Sequence, residues 1–248
     1  MIYLIYKKTT NPIHLNMGKS KQIRLLQVIF NLKINFSEIP FFRGAIIKTT
    51  QGKNNLFHNH SPEGNIYRYP KIQYKVMNDN ASLLCIEEGI EGIQDFFSNT
   101  DWKLQIENEK KEIKVENIKV HQHRVAVWDS WFDYKIYNWL PLNQDNYIKF
   151  KALEELTGRI SFLEKIMLAN ILSFLQGIGL YVDEKIEVKI KSIQSERLMN
   201  YKEQQMQAFT MTFRTNVSLP NSIGLGKGSS VGFGVLKEVI TKNQITND

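Results

Sequence analysis

Apolar positions recur along this chain with two distinct periods, and their order outlines a fold. Leu25 to Phe36 is a strand-like run rich in Val, Ile and Phe. Ser37-Glu38-Ile39-Pro40 follows it with a capping Ser and an early Pro, which predicts a short helix over Phe41 to Thr49. In Ile66 to Met77, Ile72, Tyr74 and Val76 alternate with Lys71, Gln73 and Lys75, the signature of a half-buried strand. Asn78-Asp79-Asn80 predicts a turn into a second strand, Ser82 to Ile86, so the two form a hairpin. A helix near Ile90 to Phe97 and a strand-rich segment, Trp102 to Val120, complete the order β-α-β-β-α-β, the ferredoxin-like arrangement.

The second half repeats that order more loosely. Val125 to Leu142 carries the aromatic strand residues Trp128, Trp131, Tyr134, Tyr137 and Trp139, expected as core between two domains. Tyr147 to Gly177 has helical spacing at Leu153, Leu156, Ile160, Leu163, Met167, Ile171 and Phe174, with Gly158 expected to separate two helices. Alternation at Ile186, Val188 and Ile190, then Gln207 to Val217 and Val235 to Ile240, predicts three further strands. The fold class is therefore α+β, two tandem ferredoxin-like (RNA-recognition-motif-like) domains over residues 17–120 and 121–248. Residues 1–16 read as a detached leader, disordered or non-native, with Met17 as a candidate start.

Composition narrows the function classes. The 248 residues hold 32 Lys and Arg against 25 Asp and Glu, a net charge of +7, which favours phosphate-bearing partners over acidic proteins or a membrane surface. The one cysteine, Cys85, excludes an intramolecular disulfide framework and a Cys-rich zinc module, and it suits a reducing cytoplasm. The apolar stretch Ile166 to Val182 is interrupted by Asn170, Ser173, Gln176, Gly177 and Gly179, and reads as a core helix rather than the roughly 20 residues of a membrane span. No membrane partner and a cytoplasmic location are expected.

The sharpest anomaly lies near the C-terminus, where five of the 14 glycines fall in Gly224-Leu225-Gly226-Lys227-Gly228-Ser229-Ser230-Val231-Gly232-Phe233-Gly234. Bare backbone N–H groups of this kind suit phosphate oxygens or another backbone. A Walker A loop would need Ser or Thr after Lys227, which is followed by Gly228, and a Rossmann turn would open a βαβ unit rather than precede one final strand. A plain hairpin connection accounts for the same glycines.

The motif Gly224-x-Gly226-x-Gly228-x-x-x-Gly232-Phe233-Gly234 before a last strand resembles the C-terminal glycine-rich loop of the RAMP superfamily, in particular the CRISPR-associated endoribonucleases that cut precursor guide RNA within its repeats. Phe42-Arg43-Gly44-Ala45-Ile46-Ile47, then Phe57-His58-Asn59-His60, then Tyr67-Arg68-Tyr69-Pro70-Lys71-Ile72-Gln73-Tyr74-Lys75 resemble the branch of that family with an RYPxIQYK strand after a histidine-bearing segment. The resemblance spans about Leu25 to Ile240. It implies two ferredoxin-like domains and cleavage of one repeat phosphodiester without a metal, leaving a 2′,3′-cyclic phosphate and a 5′-hydroxyl. CRISPR repeat RNA is the implied partner, with subunits of a CRISPR effector complex and a second copy of the chain as further partners; no cofactor is implied.

Such chemistry needs a base at the 2′-OH, an acid at the 5′-oxygen and a donor for the charge on phosphorus. His60 is the candidate acid or base, because imidazole titrates near neutral pH. Tyr67 matches the tyrosine of this family branch and His58 the companion histidine. Lys48, Lys53 and Arg68 are the nearest cations in sequence, and the glycine loop with Lys227 is expected on RNA backbone. Two other readings stay open: a guide-RNA-binding subunit without catalysis, and a metal-dependent hydrolase using His121 and His123 together with His58 and His60.

Overall fold

The computed structural model describes residues 19–50, 60–61, 64–65, 69–99, 102–106 and 109–240, with the backbone alone at 60–61, 64–65, 95 and 99. The first half is built from β1 (Ser20–Lys33), α1 (Ile39–Thr49), the two-residue strands β2 (His60–Ser61) and β3 (Gly64–Asn65), β4 (Ile72–Met77), β5 (Asn80–Ile86), α2 (Glu88–Asn99) and the small hairpin β6 (Lys103–Ile106) and β7 (Glu109–Glu112). Next comes β8 (Val115–Trp139), 25 residues long, then α3 (Gln144–Ala152), α4 (Leu156–Gly177), β9 (Val188–Tyr201), β10 (Gln204–Val217) and β11 (Val235–Glu238).

One strand builds both halves. The N-terminal part of β8 pairs antiparallel with β1, and the strands run β4-β5-β1-β8 across the sheet. The C-terminal part of β8 pairs with β10 and β11, giving β9-β10-β8-β11. Each half thus has its four strands in the spatial order 2-3-1-4 of a ferredoxin-like unit, all antiparallel. The segments expected as Trp102 to Val120 and Val125 to Leu142 meet inside a single strand, so residue 120 lies within β8. In the second half, β10 leads into β11 through the glycine-rich stretch with no helix between them.

β1 explains the dense apolar run that predicted it. Ile23 and Leu25 enter one core with Leu84, Ile86, Trp139, Met167 and Phe174, while Leu26, Val28, Phe30 and Leu32 enter a second with Phe42, Ile46, Tyr74 and Phe96. Both faces are buried, so no alternation is required. The strand begins at Ser20 and ends at Lys33, earlier than the expected 25–36.

At the start of α1 the capping Ser expected at 37 gives way to Asn35 and Glu38. The Asn35 N–H donates to Glu38 Oε2 at 2.7 Å, and Glu38 N–H to Asn35 O at 3.0 Å, closing a 3-10 turn, Phe36–Glu38. Asn78 and Asp79, with φ of 51° and 63°, form the tight β4–β5 turn that their residue types favour. The tip of the β9–β10 hairpin repeats that left-handed pair at Lys202 and Glu203, φ 48° and 62°, where neither residue type favours it.

Gly158 lies inside α4 and does not divide the helices. The break is at Leu153–Glu155, where Arg159 Nε donates to Leu153 O at 2.7 Å. Among the described helices α4 alone is long and apolar enough to cross a membrane by length and composition. Its stripe Leu163, Met167, Ile171, Phe174 and Leu175 is packed into the first core.

Candidate nucleic-acid interface

The glycine-rich stretch and the RYPxIQYK strand are bonded to one another. Tyr69 Oη donates to Gly224 O at 2.8 Å, Gly224 N–H donates to Gln73 Oε1 at 2.8 Å, and Gln73 Nε2 donates to Tyr69 Oη at 2.9 Å. Tyr74 N–H adds a main-chain bond to Ser230 O at 2.9 Å. Gln73 is fully buried and Tyr69 nearly so. The side-chain polar atoms of Tyr69 and Gln73 are satisfied within the latch, as buried polar groups usually are, whereas the Tyr74 hydroxyl is buried without a partner. Phe233 clamps the far side of the loop between Phe36 and Tyr201 in edge-on ring contacts.

This latch predicts a measurable cost. In Gln73→Ala the buried Gly224 N–H loses its acceptor, an expected loss of ~1–3 kcal/mol. Urea unfolding should read this as a lower midpoint at an unchanged m-value.

The loop forms one wall of an open cleft of about 1120 Å³. The lining also includes Lys165, Asn170 and Ser173 of α4, Asn143 at the start of α3, and Arg43 of α1. Tyr201 and Lys202 at the β9–β10 tip line it as well. Among the described residues four cations, Arg43, Lys165, Lys202 and Lys227, line the cleft, and no carboxylate does. Among the described residues none of the four forms an ion pair. Lys227 and Lys202 sit 5.8 and 5.9 Å from the Tyr201 ring centroid. Arg43 Nε is buried without a partner. A concave, unpaired cationic surface beside an aromatic face suits a polyanion with flat bases.

The expected site residues separate into groups. Gly226, Lys227 and Gly228 line the cleft. Gly224, Gly232 and Gly234 are in the packed underside of the loop, where small size is needed for packing: a Cβ on Gly234 would sit 2.0 Å from Leu225 O, and one on Gly232 2.6 Å from Ile39 Cδ1. Lys48 is exposed in the last turn of α1 and is not part of the cleft lining. His60 pairs through its backbone with Asn65 in the β2–β3 hairpin. His58, Tyr67, Lys53 and Arg68 lie outside the described residues.

His121 and His123 share one face of β8, in register with Leu25 and Ile23. His121 is exposed. Burial pushes the His123 imidazole below its ordinary pKa, and its Nε2 is buried without a hydrogen-bond partner. Among the described residues no group of three or more His, Cys, Asp or Glu gathers there or elsewhere. Of the β8 aromatics, Tyr134 and Trp139 are core, and Trp131 is exposed with the Arg214 guanidinium 5.6 Å from its ring centroid.

Sequence reading missed Arg43, Lys165 and Lys202 as members of one surface. A signal was present for α4, because Asn170 and Ser173 interrupt an otherwise apolar stretch, and both line the cleft.

Comparison with known proteins agrees with this architecture. Residues 21–124 match the Cas6b N-terminal domain and residues 126–239 the Cas6b C-terminal domain. A crystal structure of a Cas6b protein is similar over 88% of this chain and 100% of its own, at 26% identity and a TM-score of 0.78. A second, described as a CRISPR RNA processing endoribonuclease Cas6b, covers the same shares at 23% identity and a TM-score of 0.67, a likeness of fold. A protein of uncharacterised function from Methanocaldococcus jannaschii is 32% identical over 117 residues, 47% of this chain and 78% of that protein. With both domain families matched in sequence order along nearly the whole described chain, this protein belongs to the Cas6b family.

Proposed function

We propose that this chain is an endoribonuclease that cuts CRISPR repeat RNA in the precursor transcript to release guide RNAs. The reading rests on membership of the Cas6b family, joined to a cleft whose four cations lack ion-pair partners among the described residues. The reaction is transesterification without a metal. The 2′-OH gives its proton to a base, the O2′–P bond forms as the P–O5′ bond breaks, and an acid protonates the leaving 5′-oxygen. His60 takes the acid–base role, His58 assists it, and Tyr67 orients the ribose or donates to phosphate. Lys48, Lys53 and Arg68 are the cations assigned to RNA on the histidine side.

The reading as a pure guide-RNA binder has no use for two imidazoles in Phe57-His58-Asn59-His60, which favours the nuclease. Partners follow from it: repeat RNA first, then effector-complex subunits and a second copy of this chain.

One experiment decides. Purified protein incubated with its cognate repeat RNA in excess EDTA should cleave at one site and leave a cyclic phosphate end. Bound but uncut repeat would make the protein a binder, and cleavage restored only by added divalent metal would make it a metallohydrolase. His60→Ala should leave repeat binding nearly intact and lower the single-turnover rate by ~10²-fold or more, the usual loss for an acid–base group. An unchanged rate would move that role to another residue.

A further inference from the structure

The cleft holds two side-chain amides whose orientation is fixed by chemistry. Asn170 Oδ1 accepts from Trp139 Nε1 at 2.9 Å, and an indole N–H can only donate. Asn143 Oδ1 accepts from the Asn146 backbone N–H at 2.8 Å, the cap of α3, and a main-chain N–H can only donate. In both, the oxygen is committed to the protein. The Nδ2 group is left toward the cleft, and it donates to no other described residue.

With Arg43, Lys165 and Lys227 in the same lining, and no carboxylate among the described residues there, the wall that meets a ligand is dominated by donors. Trp139 is fully buried and Gly226 packs against both it and Asn170, where a Cβ would lie 2.6 Å from Asn170 Oδ1. The donor at 170 is therefore held by the core and the loop together.

Such a wall discriminates among bases. The Hoogsteen edge of guanine offers two acceptors, N7 and O6, and uracil offers O4. Adenine and cytosine place an amino donor on the same edge, at N6 and N4. A donor facing a donor leaves both unsatisfied once water is excluded. Base pairing does not by itself remove the Hoogsteen edge, but an A-form duplex closes it inside a deep, narrow groove that side chains cannot read. We propose that this cleft seats an unpaired stretch of RNA and reads a keto base, guanine or uracil, through the Nδ2 groups of Asn143 and Asn170, while Arg43, Lys165 and Lys227 hold the flanking phosphates. The inference rests on the RNA reading above and adds which base, in which state, the cleft takes.

The test uses Asn→Asp exchanges, which keep each structural role. Aspartate still accepts from Trp139 or from the α3 cap, and presents an acceptor where the amide presented a donor. Full-length wild type, Asn143→Asp and Asn170→Asp are titrated with single-stranded hexanucleotides, C2GC3 against C2AC3 and U6 against C6, with affinities compared as ratios so that the added negative charge cancels. Wild type should prefer the keto member by about fivefold or more, and in each variant the ratio should fall to about one or invert. Equal wild-type affinities, or a preference unchanged in both variants, would overturn the base reading while RNA binding stood. Failure of wild type to bind any of these RNAs or its cognate repeat would overturn the inference together with the proposed function. Tm measured beside each titration separates a lost fold from a lost preference.

Discussion

Gly234→Ala is expected to destabilise the protein by ~3–5 kcal/mol and to dismantle the loop wall of the cleft. Gly234 has φ of +63°, where an L side chain already costs ~1–2 kcal/mol. The larger effect is steric. A Cβ there would meet Leu225 O at 2.0 Å, Leu225 C at 3.0 Å and Leu225 N at 3.2 Å, all main chain, so no rotamer change can relieve it. The backbone would have to separate, breaking the Leu225 N–H bond to Gly234 O and straining that from Gly234 N–H to Asn138 O. At about 2–4 °C per kcal/mol for a chain of this size, the melting temperature should drop by roughly 6–20 °C. Gly44→Ala in the exposed middle of α1 is the matched control, since its Cβ meets nothing within 4 Å and alanine favours helix by ~1 kcal/mol. Equal melting of Gly234→Ala and wild type would mean that the loop backbone yields at little cost, and that its glycines serve the ligand rather than the packing.

That contrast bears on what the sequence made legible. Glycine density marked the loop, and alternation marked the strand with Tyr69 and Gln73, but the hydrogen bonds joining them cross about 150 residues of chain. Local pattern carries no trace of such a bond. The hairpin of β4 and β5 was readable because one face of each strand sets a period and Asn78-Asp79 supplies the turn. The unity of β8 was not, since Glu116 to Gln122 is exposed on both faces and needs no apolar period. Residues 191–201 of β9 were missed for the same reason: they lie at a sheet edge, mostly solvent-facing, and are ordered by pairing with β10. Lys165 and Lys202 lie far apart in sequence with no motif around either, and only the fold gathers them around one cleft.

Lys75, the last residue of the RYPxIQYK motif and inside β4, is expected to be a liability that substitution reveals. Its side chain is buried, its Nζ has no hydrogen-bond partner, and burial pushes the ammonium down from 10.5 to about 7. The unfolded chain therefore binds more protons than the folded one between about pH 7 and 10.5, and stability rises with pH across that window. Below pH 7 both states are protonated and the folded state bears the whole desolvation cost, ~2–5 kcal/mol. Lys75→Met keeps the stem and drops the charge. Its advantage over wild type should be largest at or below pH 7 and fade to near zero by about pH 10.5, as read by urea unfolding at several pH values. A difference between the two proteins that stays flat with pH would show the ammonium to be solvated or paired in solution. The adjoining residues sharpen the reason such a cost is tolerable. Gln73 on the same face of β4 and Tyr74 beside it hold the loop that walls the cleft, so this strand is fixed by contacts to Gly224 and Ser230 that a charged neighbour does not disturb. Full-length Lys75→Met should accordingly keep the loop latch, and its melting should gain at neutral pH without the losses expected of Gln73→Ala.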